Sequence, residues 1–437
     1  MPRSDRQRLR IFVLHACARA ADRLPQEEAV AAEEFIRRLA ERGHVVHVAT
    51  HSMDFALSMP ASVTLHRLRI ARVWGPLWRL VFMLNLRRLF KALHDEAPFD
   101  LVHQVVQACP GLSLALYGLS DTVVLGPFVP DWPEATNGPS SGWRAALRQW
   151  IVRLQQRHAS SMLLTTPAAL SRITTSRAVG PLLLEVPHGV DPSAFEARTI
   201  TPGEPSVLFL ASIWRRKGIF TLLDAIAAVR EQLPAATLTI AGHGPDEQLV
   251  RFAVERHPAR DAIRVVGHSS PADVPEMIRS HAVYCLPSTG EPFGSSILEA
   301  MSCGVPVVST NAGGAAFLVD DRGGRLVAPN DSAALAEALV DVLQSVSRRE
   351  AMGRHNRAVV EERFTWDRVL DSLEDAYYAT LDRRDRMVSE APAPRPSAEL
   401  PAVSEPAFFR SYTPAGVGAP SPLRAASATP RLGPVND

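Results

Sequence analysis

Short apolar runs alternate with longer stretches of helical periodicity along most of the chain. In the first half the runs include RIFVLHA, HVVHVAT, DLVHQVV, TVVLGPF and SMLLTT, and the intervening EEAVAAEEFIRRLAERG places apolar residues on one helix face. Strands separated by helices of about ten to fifteen residues are typical of parallel sheets with helices on both faces. The pattern therefore predicts a doubly wound α/β fold.

The same alternation starts again after Val186, with the runs SVLFLAS, TLTIAG, IRVVG, VYCLPS and VPVVST. Two such series in one chain predict two Rossmann-like domains, which we place at residues 1–195 and 196–365. The segment at residues 195–206 contains Pro, Gly and Thr and lacks periodicity, so it is the expected hinge between them.

The end of the chain changes character. Residues 366–387 have amphipathic periodicity and predict a last helix. Residues 388–437 are rich in Pro, Ala, Ser and Gly, a composition that cannot bury enough apolar surface to order itself, so we expect a disordered tail.

Composition narrows the functional classes. No run approaches the roughly 18 apolar residues of a membrane span. Cys17, Cys109, Cys285 and Cys303 lie far apart without CxxC spacing, which indicates neither a zinc cluster nor a disulfide framework and fits a reducing cytoplasm. Residues 1–195 carry 22 Lys and Arg against 16 Asp and Glu, so this half is the one expected to meet an anionic surface.

The segment EPFGSSILEAMSCGVPVVST begins at Glu291, directly after a predicted strand. Gly294 allows a tight turn into a helix that begins near Ser295. The carboxyl end of a strand that leads into a helix is where open α/β sheets bind ligands. We therefore expect the free N–H groups of Ser295, Ser296 and Ile297 to face a phosphate, whose charge the helix dipole favours.

Glu291 and Glu299 are eight residues apart in this segment. Eight helical residues span roughly 12 Å, whereas the paired carboxylates of glycosidases lie roughly 5 to 9.5 Å apart. One local segment is therefore a poor source of a general acid and base for one bond. We interpret the pair as two contacts with one ligand, Glu299 with a ribose and Glu291 with a group nearer the chemistry. The alternative is a capped helix with two solvated acids.

A second candidate is the basic loop in ASIWRRKGIF, where Arg215, Arg216 and Lys217 precede Gly218 at a predicted helix start. Cations in this position can neutralise the charge that develops on a leaving diphosphate. Of 47 basic residues only Lys91 and Lys217 are lysines, which favours a functional role for Lys217 over a basic surface loop.

These motifs together resemble a known family. PSTGEPFGSSILEAMSCGVPVVSTNAGG is similar to the E-x7-E signature of the family-four glycosyltransferases, which are retaining enzymes of the GT-B fold. VPHGVDPSAF resembles the family's Asn-Gly-Val-Asp loop with His188 in place of Asn, and AGHGP resembles its Gly-Asp-Gly-Pro turn with His243 in place of Asp. The resemblance extends from about residue 184 to 381.

The resemblance implies a fold and a reaction. Two Rossmann-like domains would face each other across a cleft, the first holding the acceptor and the second the nucleotide sugar, and the last helix would return to the first domain. The reaction would transfer a sugar from a nucleoside diphosphate sugar to an acceptor hydroxyl with retention at the anomeric carbon. The sequence contains no Asp-x-Asp triplet, so we expect no metal and no cofactor other than the donor.

The resemblance also implies roles for residues. Lys217 would stabilise the departing diphosphate, Glu299 would hold the ribose and Glu291 would orient the donor sugar. Ser212 stands where the family has an arginine, and Arg215 or Arg216 is expected to supply that charge. The remaining predicted donor-binding residues are Gly242, Gly244, Pro287 and Gly294, together with Ser295, Ser296 and Ile297 of the helix.

The first half matches the family less well. HACARAADRLP replaces a Gly-Gly loop, and Val105 stands where a second histidine is common. His103 falls at a family histidine position and is predicted to contact the donor sugar or the acceptor hydroxyl, with a packed strand-end histidine as the alternative. Gly126 and Pro127 are candidate residues of the cleft wall.

Two stretches in the first half combine arginine and tryptophan. No acidic residue occurs between Asp54 and Asp95 or between Glu134 and Glu185. Basic amphipathic helices of this kind suit an anionic membrane surface, here the inner face of the plasma membrane, where a lipid-linked or glycan acceptor would be met. The alternative is that the apolar faces pack on the sheet. Nucleic acid is not expected, because no recognised binding module accompanies the charge.

Two other classes of function remain open at the level of sequence. A non-catalytic GT-B scaffold that binds a partner or glycan would explain the missing Gly-Gly loop and Ser212. A sugar-nucleotide epimerase shares the fold and would alter the donor without an acceptor. The presence of Glu291, Glu299 and Lys217 together favours transfer over both.

Overall fold

A computed structural model describes residues 7–16, 26–51, 58–68, 78–105, 110–120, 122–130, 143–174 and 180–390. The described residues contain two parallel sheets flanked by helices, which confirms the predicted fold class. The predicted disordered tail lies outside the described residues, apart from its first three positions, where the last helix continues to Ser389.

The first sheet has seven parallel strands in the order β3-β2-β1-β4-β5-β6-β7. They are β1 Arg10–Ala16, β2 Val45–Thr50, β3 Val63–Arg67, β4 Leu101–Gln104, β5 Val123–Phe128, β6 Ser161–Leu164 and β7 Leu182–Glu185. The helices of this part are α1 Gln26–Glu41, α2 Trp78–Glu96 and α3 Trp143–Arg157, with 3-10 turns at Leu112–Leu116 and Pro167–Arg172.

Strand β1 shows why this sheet is covered on both faces. Ile11 and Val13 belong to one buried cluster, whereas Phe12 and Leu14 belong to another. Successive side chains of a strand point to opposite faces, so an unbroken apolar strand needs helices on both sides.

The second sheet has six parallel strands in the order β10-β9-β8-β11-β12-β13. They are β8 Ser206–Leu210, β9 Thr237–Ala241, β10 Ile263–Gly267, β11 Val283–Leu286, β12 Val307–Thr310 and β13 Gly324–Val327. Its helices are α4 Ile219–Gln232, α5 Glu247–Glu255, α6 Val274–Arg279, α7 Ser295–Ser302, α8 Ala315–Leu318, α9 Ser332–Leu343 and α10 Val346–Val359, with 3-10 turns at Arg215–Lys217 and Arg260–Ala262.

The strand order of each sheet reverses at one place. In the second sheet the chain runs outward from β8 to β10 and then returns to place β11 on the other side of β8. Loops diverge at such a reversal and leave a crevice at the carboxyl ends of the two strands. The loops after β8 and β11 are the two that carry the predicted phosphate-binding residues.

The chain crosses between the two sheets twice, and the two crossings lie side by side. After β7 it passes through residues 186–190, and it returns through a π-helical turn, Val360–Phe364, into helix α11, Trp366–Ser389. The Val190 N–H donates to the Phe364 carbonyl at 2.9 Å.

Helix α11 packs on the first sheet rather than on the second. Trp366, Leu370, Leu373 and Tyr377 are buried in one cluster with residues of β1 and α1. The Trp366 ring meets the Phe35 ring edge-on at 5.4 Å between centroids. The core of the first domain therefore includes a segment from the far end of the chain.

Candidate active site

The turn that carries Lys217 follows β8 and is fixed against the loop after β11. Gly218 ends this 3-10 turn in the left-handed conformation, with φ of 76°. A Cβ at Gly218 would overlap the carbonyl oxygen of Pro287, so only glycine fits. The Thr289 N–H donates to the Arg216 carbonyl at 2.9 Å. The two loops at the strand-order reversal are thus joined through their backbones.

Lys217 and Glu291 form a buried ion pair at this junction. The Lys217 Nζ donates to both carboxylate oxygens of Glu291, each at 2.9 Å. Lys217 is 8% exposed and Glu291 only 1%. Removing two charges from water is costly even when they pair well, so burial of this pair does not by itself add stability. The sequence predicted both residues here, although it did not predict that they contact each other.

The Glu291 turn also packs directly on the chain after β12. The Gly314 N–H donates to the Glu291 carbonyl at 2.6 Å. A Cβ at Gly313 would overlap that carbonyl oxygen, and a Cβ at Gly314 would overlap the carbonyl oxygen of Phe293. The two glycines therefore allow close backbone contact between the Glu291 turn and the segment after β12.

Helix α7 begins as predicted at Ser295, after Gly294 with φ of 94°. The prediction for Ile297 is wrong, because its N–H already donates to the Gly294 carbonyl at 2.9 Å and is not available for a phosphate. Among the described residues, no acceptor is recorded for the N–H groups of Ser295 and Ser296, so these two donors remain. Glu299 is half-buried one turn further along the helix.

A buried tyrosine on β11 contacts the first turn of α7. The Tyr284 hydroxyl donates to the Leu210 carbonyl at 2.8 Å and is also hydrogen-bonded to the Ser296 side chain. Burial raises the pKa of Tyr284 well above its usual value, so the hydroxyl stays protonated. Tyr284 therefore links the end of β8 to the first turn of α7.

Both predicted arginines lie on the Lys217 turn, and both stack on aromatic rings. The Arg215 guanidinium lies 4.9 Å from the Phe220 ring centroid. The backbone N–H of Arg215 donates to the Asp246 carboxylate at 2.6 Å. The half-buried Arg216 lies over the Trp214 ring at 4.3 Å.

Gly242 and Gly244 form the turn after β9, next to the Lys217 turn. A Cβ at Gly242 would overlap the Ala211 carbonyl oxygen, and the Ile213 N–H donates to the His243 carbonyl at 3.0 Å. The loops that were predicted to hold the nucleotide therefore lie together along one edge of the second sheet.

His103 is not placed for catalysis. It is fully buried, with Nε2 2.8 Å from the Gly126 carbonyl and Nδ1 2.6 Å from the Tyr377 hydroxyl of α11. A carbonyl only accepts, so Nε2 carries the proton and Nδ1 accepts from Tyr377. Burial lowers the pKa of His103 to about 4, and neither ring nitrogen is left for a substrate. The catalytic prediction gives way to its alternative, a packed strand-end histidine.

A different histidine lies near the site. His188, in the first crossing between the sheets, is 7% exposed and its ring centroid lies 4.8 Å from that of Phe293. Burial lowers the pKa of His188 to about 4. In the sequence, His188 stood out only because it replaces the asparagine of the family's Asn-Gly-Val-Asp loop. Its membership of that loop was the one signal that could have pointed to a role in the site.

The described residues show neither a cluster of metal-ligating side chains nor a helix that could cross a membrane. No group of three or more His, Cys, Asp or Glu side chains is arranged to hold a metal ion. Within the same residues, none of the helices combines the length and the apolar character that crossing a membrane requires.

Two family profiles match the chain. Residues 191–359 match the profile described as "Glycosyl transferases group 1". Residues 28–188 match the one described as "Glycosyl transferase 4-like domain". The first match contains all strands of the second sheet, and the second match contains those of the first sheet apart from β1.

Curated relatives have related names. The phosphatidyl-myo-inositol mannosyltransferase of Mycobacterium tuberculosis is 30% identical over 362 residues, which cover 79% of this chain and 92% of the relative. The glycogen synthase of the same species is 29% identical over 256 residues, or 55% of this chain and 60% of the relative.

Solved structures share the fold. Sucrose-phosphate synthase from Thermosynechococcus elongatus aligns with a TM-score of 0.65 at 22% identity, over 86% of this chain and 100% of that one. Anabaena HepE in complex with UDP and glucose aligns with a TM-score of 0.63 at 18% identity, over 85% of this chain and 100% of that one.

Proposed function

Because this chain belongs to the family-four, or group 1, glycosyltransferases, we propose that it transfers a sugar from a nucleoside diphosphate sugar to an acceptor hydroxyl, with retention at the anomeric carbon. The observation that carries this proposal is the buried pair of Lys217 and Glu291 at the strand-order reversal of the second sheet. Nucleotides bind at this point of open α/β sheets.

Lys217 stabilises the leaving group in this proposal. Its ammonium lies in the crevice beside the N-terminus of α7, where the N–H groups of Ser295 and Ser296 and the helix dipole also favour negative charge. Charge that develops on the diphosphate is stabilised strongly in a partly dry site. With Arg215 and Arg216 at the rim, these groups supply the positive charge that a metal ion supplies elsewhere, so we expect a metal-independent reaction.

The two glutamates bind the neutral parts of the donor. Glu291 accepts hydrogen bonds from hydroxyls of the transferred sugar, and Glu299 accepts from the ribose. Gly242, Gly244 and Pro287 form backbone walls on the nucleotide side. No side chain is assigned as a nucleophile, because a donor phosphate oxygen on the same face can assist deprotonation of the acceptor.

The acceptor belongs on the side of the first sheet. We propose a glycan or lipid-linked acceptor of the cell envelope or an exopolysaccharide, which agrees with the name of the mannosyltransferase relative. Helix α3 supports a membrane site, because it exposes an apolar stripe of Trp143, Leu147 and Trp150, at 72%, 47% and 59%. These positions recur at i, i+4 and i+7 and so lie on one face.

Helix α2 adds a second exposed apolar face with basic residues beside it. It buries Phe82, Leu86 and Phe90 towards the sheet and exposes Leu80 and Leu84 at 56% and 49%. The exposed basic residues of the two helices include Arg87, Arg88, Lys91, Arg148, Arg153 and Arg157. Apolar side chains surrounded by arginines suit the interface of an anionic membrane, and we propose that the protein acts on the cytoplasmic face of one.

The test is donor consumption. The purified full chain is incubated with a panel of UDP- and GDP-sugars and a membrane lipid extract, with and without EDTA, and the released nucleoside diphosphate is measured. We expect one donor to be consumed in the presence of acceptor, and a loss of roughly a hundredfold or more in Lys217→Ala and Glu291→Ala.

The chain offers matched controls. Arg256→Ala removes an exposed cation of the second domain, and Glu255→Ala removes the exposed carboxylate beside it. Both should retain activity on a soluble acceptor. A donor altered without acceptor would indicate an epimerase, and tight donor binding without turnover would indicate a binding scaffold.

A further inference from the structure

We propose that His188 is a donor-binding residue whose neutral imidazole hydrogen-bonds to a hydroxyl of the transferred sugar. The proposal rests on the proposed function, since it assumes a nucleoside diphosphate sugar bound beside Lys217 and Glu291. It adds a contact from the crossing between the domains, which lies outside the loops of the second sheet that carry the other donor-binding residues.

The position of His188 is fixed by its neighbours on both sides. Gly189 packs on the Trp366 ring so closely that a Cβ there would lie 2.6 Å from it, and the Val190 N–H is bonded to the Phe364 carbonyl. The His188 ring lies against the Phe293 ring on the turn that carries Glu291. The imidazole is thus held next to the turn that orients the donor sugar.

The polar atoms of His188 are not satisfied by the protein. Buried side-chain nitrogens almost always have hydrogen-bond partners, because an unmade bond is costly. Among the described residues, neither ring nitrogen of His188 has one, although the side chain is only 7% exposed. Neither nitrogen is among the fully enclosed atoms without a partner, so both remain accessible from outside the protein. His103 has similar burial and uses both nitrogens. The contrast indicates that His188 is completed by a molecule other than this chain.

The charge state selects the kind of partner. With a pKa of about 4, His188 is neutral at pH 7 and presents one N–H donor and one acceptor. A sugar hydroxyl also donates and accepts, so it complements a neutral imidazole. A phosphate would favour the charged form and is better matched by Lys217. The nearby Phe293 places His188 at the sugar end of the donor and not at the base.

The test compares the sugar nucleotide with the free nucleotide. His188→Phe keeps a ring against Phe293 but removes both polar atoms, and His188→Asn restores a donor and an acceptor. For the sugar nucleotide that the parent uses, kcat/KM at saturating acceptor is measured together with the Kd of UDP or GDP by calorimetry. We expect His188→Phe to lower kcat/KM roughly tenfold or more, mainly through KM, while the nucleotide Kd stays within about twofold and His188→Asn recovers most of the loss.

The opposite outcomes are distinct. A parallel loss of nucleotide affinity would show a structural role, a change in the KM of the acceptor alone would move His188 to the acceptor site, and an unchanged kcat/KM would remove it from the site. If His188→Phe does not fold, the same comparison is made with His188→Leu and His188→Asn. A parent that consumes no donor refutes the proposed function itself, whereas an active parent with an unaffected variant refutes only the role of His188.

Discussion

At the scale of single residues, the ion pair of Lys217 and Glu291 implies that the Glu291 carboxylate and the phosphates of a donor would compete for the Lys217 ammonium. The Lys217 ammonium donates to both carboxylate oxygens of Glu291 at 2.9 Å. In the proposed reaction the phosphates of the donor have to share or take over that ammonium. Under this proposal Glu291 opposes the binding of the nucleotide while it assists the binding of the sugar.

Replacing Glu291 by glutamine separates these two effects. Glu291→Gln removes a negative charge from the phosphate site, so we expect UDP or GDP to bind roughly three- to tenfold more tightly, while transfer falls roughly a hundredfold. Calorimetry with the free nucleotide and initial rates with the sugar nucleotide measure the two changes. Glu255→Gln is the control for a general charge effect, and a nucleotide affinity that falls in Glu291→Gln would contradict this explanation.

Buried neutral histidines make the fold sensitive to acid. Burial lowers the pKa of His103 and His188 from 6.5 to about 4, so in this range the unfolded chain binds protons that the folded chain does not. Their contribution to stability is complete above pH 6.5 and is lost as the pH falls towards 4.

We expect the Tm to fall by several degrees between pH 7 and pH 5, a window above the usual pKa values of the carboxylates. Differential scanning calorimetry measures the change, and His103→Gln should show a shallower dependence because one of the titrating groups is gone. A Tm that is flat over this window would contradict the assignment of neutral buried histidines.

Sequence reasoning succeeded or failed at single residues according to what determines each one. Glu291 and Lys217 could be placed at strand ends because strand ends, glycines and a rare lysine are visible in the sequence, and the structure brings the two into contact there. Their roles in donor binding stay predictions. His103 was assigned wrongly because its burial depends on Tyr377, which lies 274 positions away in the chain. Ile297 was assigned wrongly because one backbone bond in the first turn of a helix cannot be read from residue types.

At the scale of elements, helix α11 is attached to the first domain by a charged cluster as well as by its apolar face. Arg42 Nη1 donates to Asp371 at 2.9 Å and to Glu374 at 3.1 Å, and His44 Nε2 lies 3.2 Å from Glu374. The Leu9 N–H donates to His44 Nδ1, so His44 presents an N–H to Glu374. Arg42 thus organises one side of this contact.

Removing Arg42 should loosen α11. Arg42→Ala leaves two partly buried carboxylates without their common partner, and we expect a loss of about 1–3 kcal/mol in the free energy of unfolding. Hydrogen exchange within residues 366–389 should rise more than exchange in the second domain. Lys91→Ala, which breaks an exposed i,i+4 pair, serves as a control and should cost under about 0.5 kcal/mol.

The exposed stripe on α3 gives a prediction for membrane binding. Replacing Trp143, Leu147 and Trp150 by serine removes apolar surface that is already in solvent, so folding should be unaffected while binding to anionic vesicles falls roughly tenfold or more. Flotation with vesicles of phosphatidylcholine, with and without phosphatidylglycerol, measures the bound fraction.

The matched control lies on the second domain. Leu249 and Phe252 on α5 are exposed at 51% and 56%, and serine at both positions should leave flotation unchanged. Binding that does not depend on the anionic lipid content would rule out this face as a site for an anionic membrane. The arginines and tryptophans of these helices are visible in the sequence. Which face of α3 points outward depends on its packing, where Gln155 and Gln156 are buried among the side chains that the structure describes.

At the scale of the whole molecule, the repeated alternation of strands and helices was enough to predict two doubly wound domains. The periodicity of each strand and helix is local, so the elements of each sheet could be predicted separately. The side-by-side crossings could not be predicted from residue types, because the bond between Val190 and Phe364 joins segments 174 positions apart.

Removing the last helix should affect the two domains unequally. In a chain that ends at residue 365, the first domain loses Trp366, Leu370, Leu373 and Tyr377 from its core, whereas the strands and helices of the second domain are all retained. We expect limited proteolysis to cut the first domain readily and to leave the second largely intact. Equal resistance of both domains would contradict the role given to α11.

The packing of α11 on the first domain also affects the order in which the two domains can complete their folding during synthesis. Synthesis proceeds from the N-terminus, and domains commonly fold as they emerge from the ribosome. The second domain is continuous and can fold once about residue 365 has been added. The first domain lacks the hydroxyl that binds His103 until Tyr377 has been added, so the domain that is synthesised first is the one whose folding is completed last.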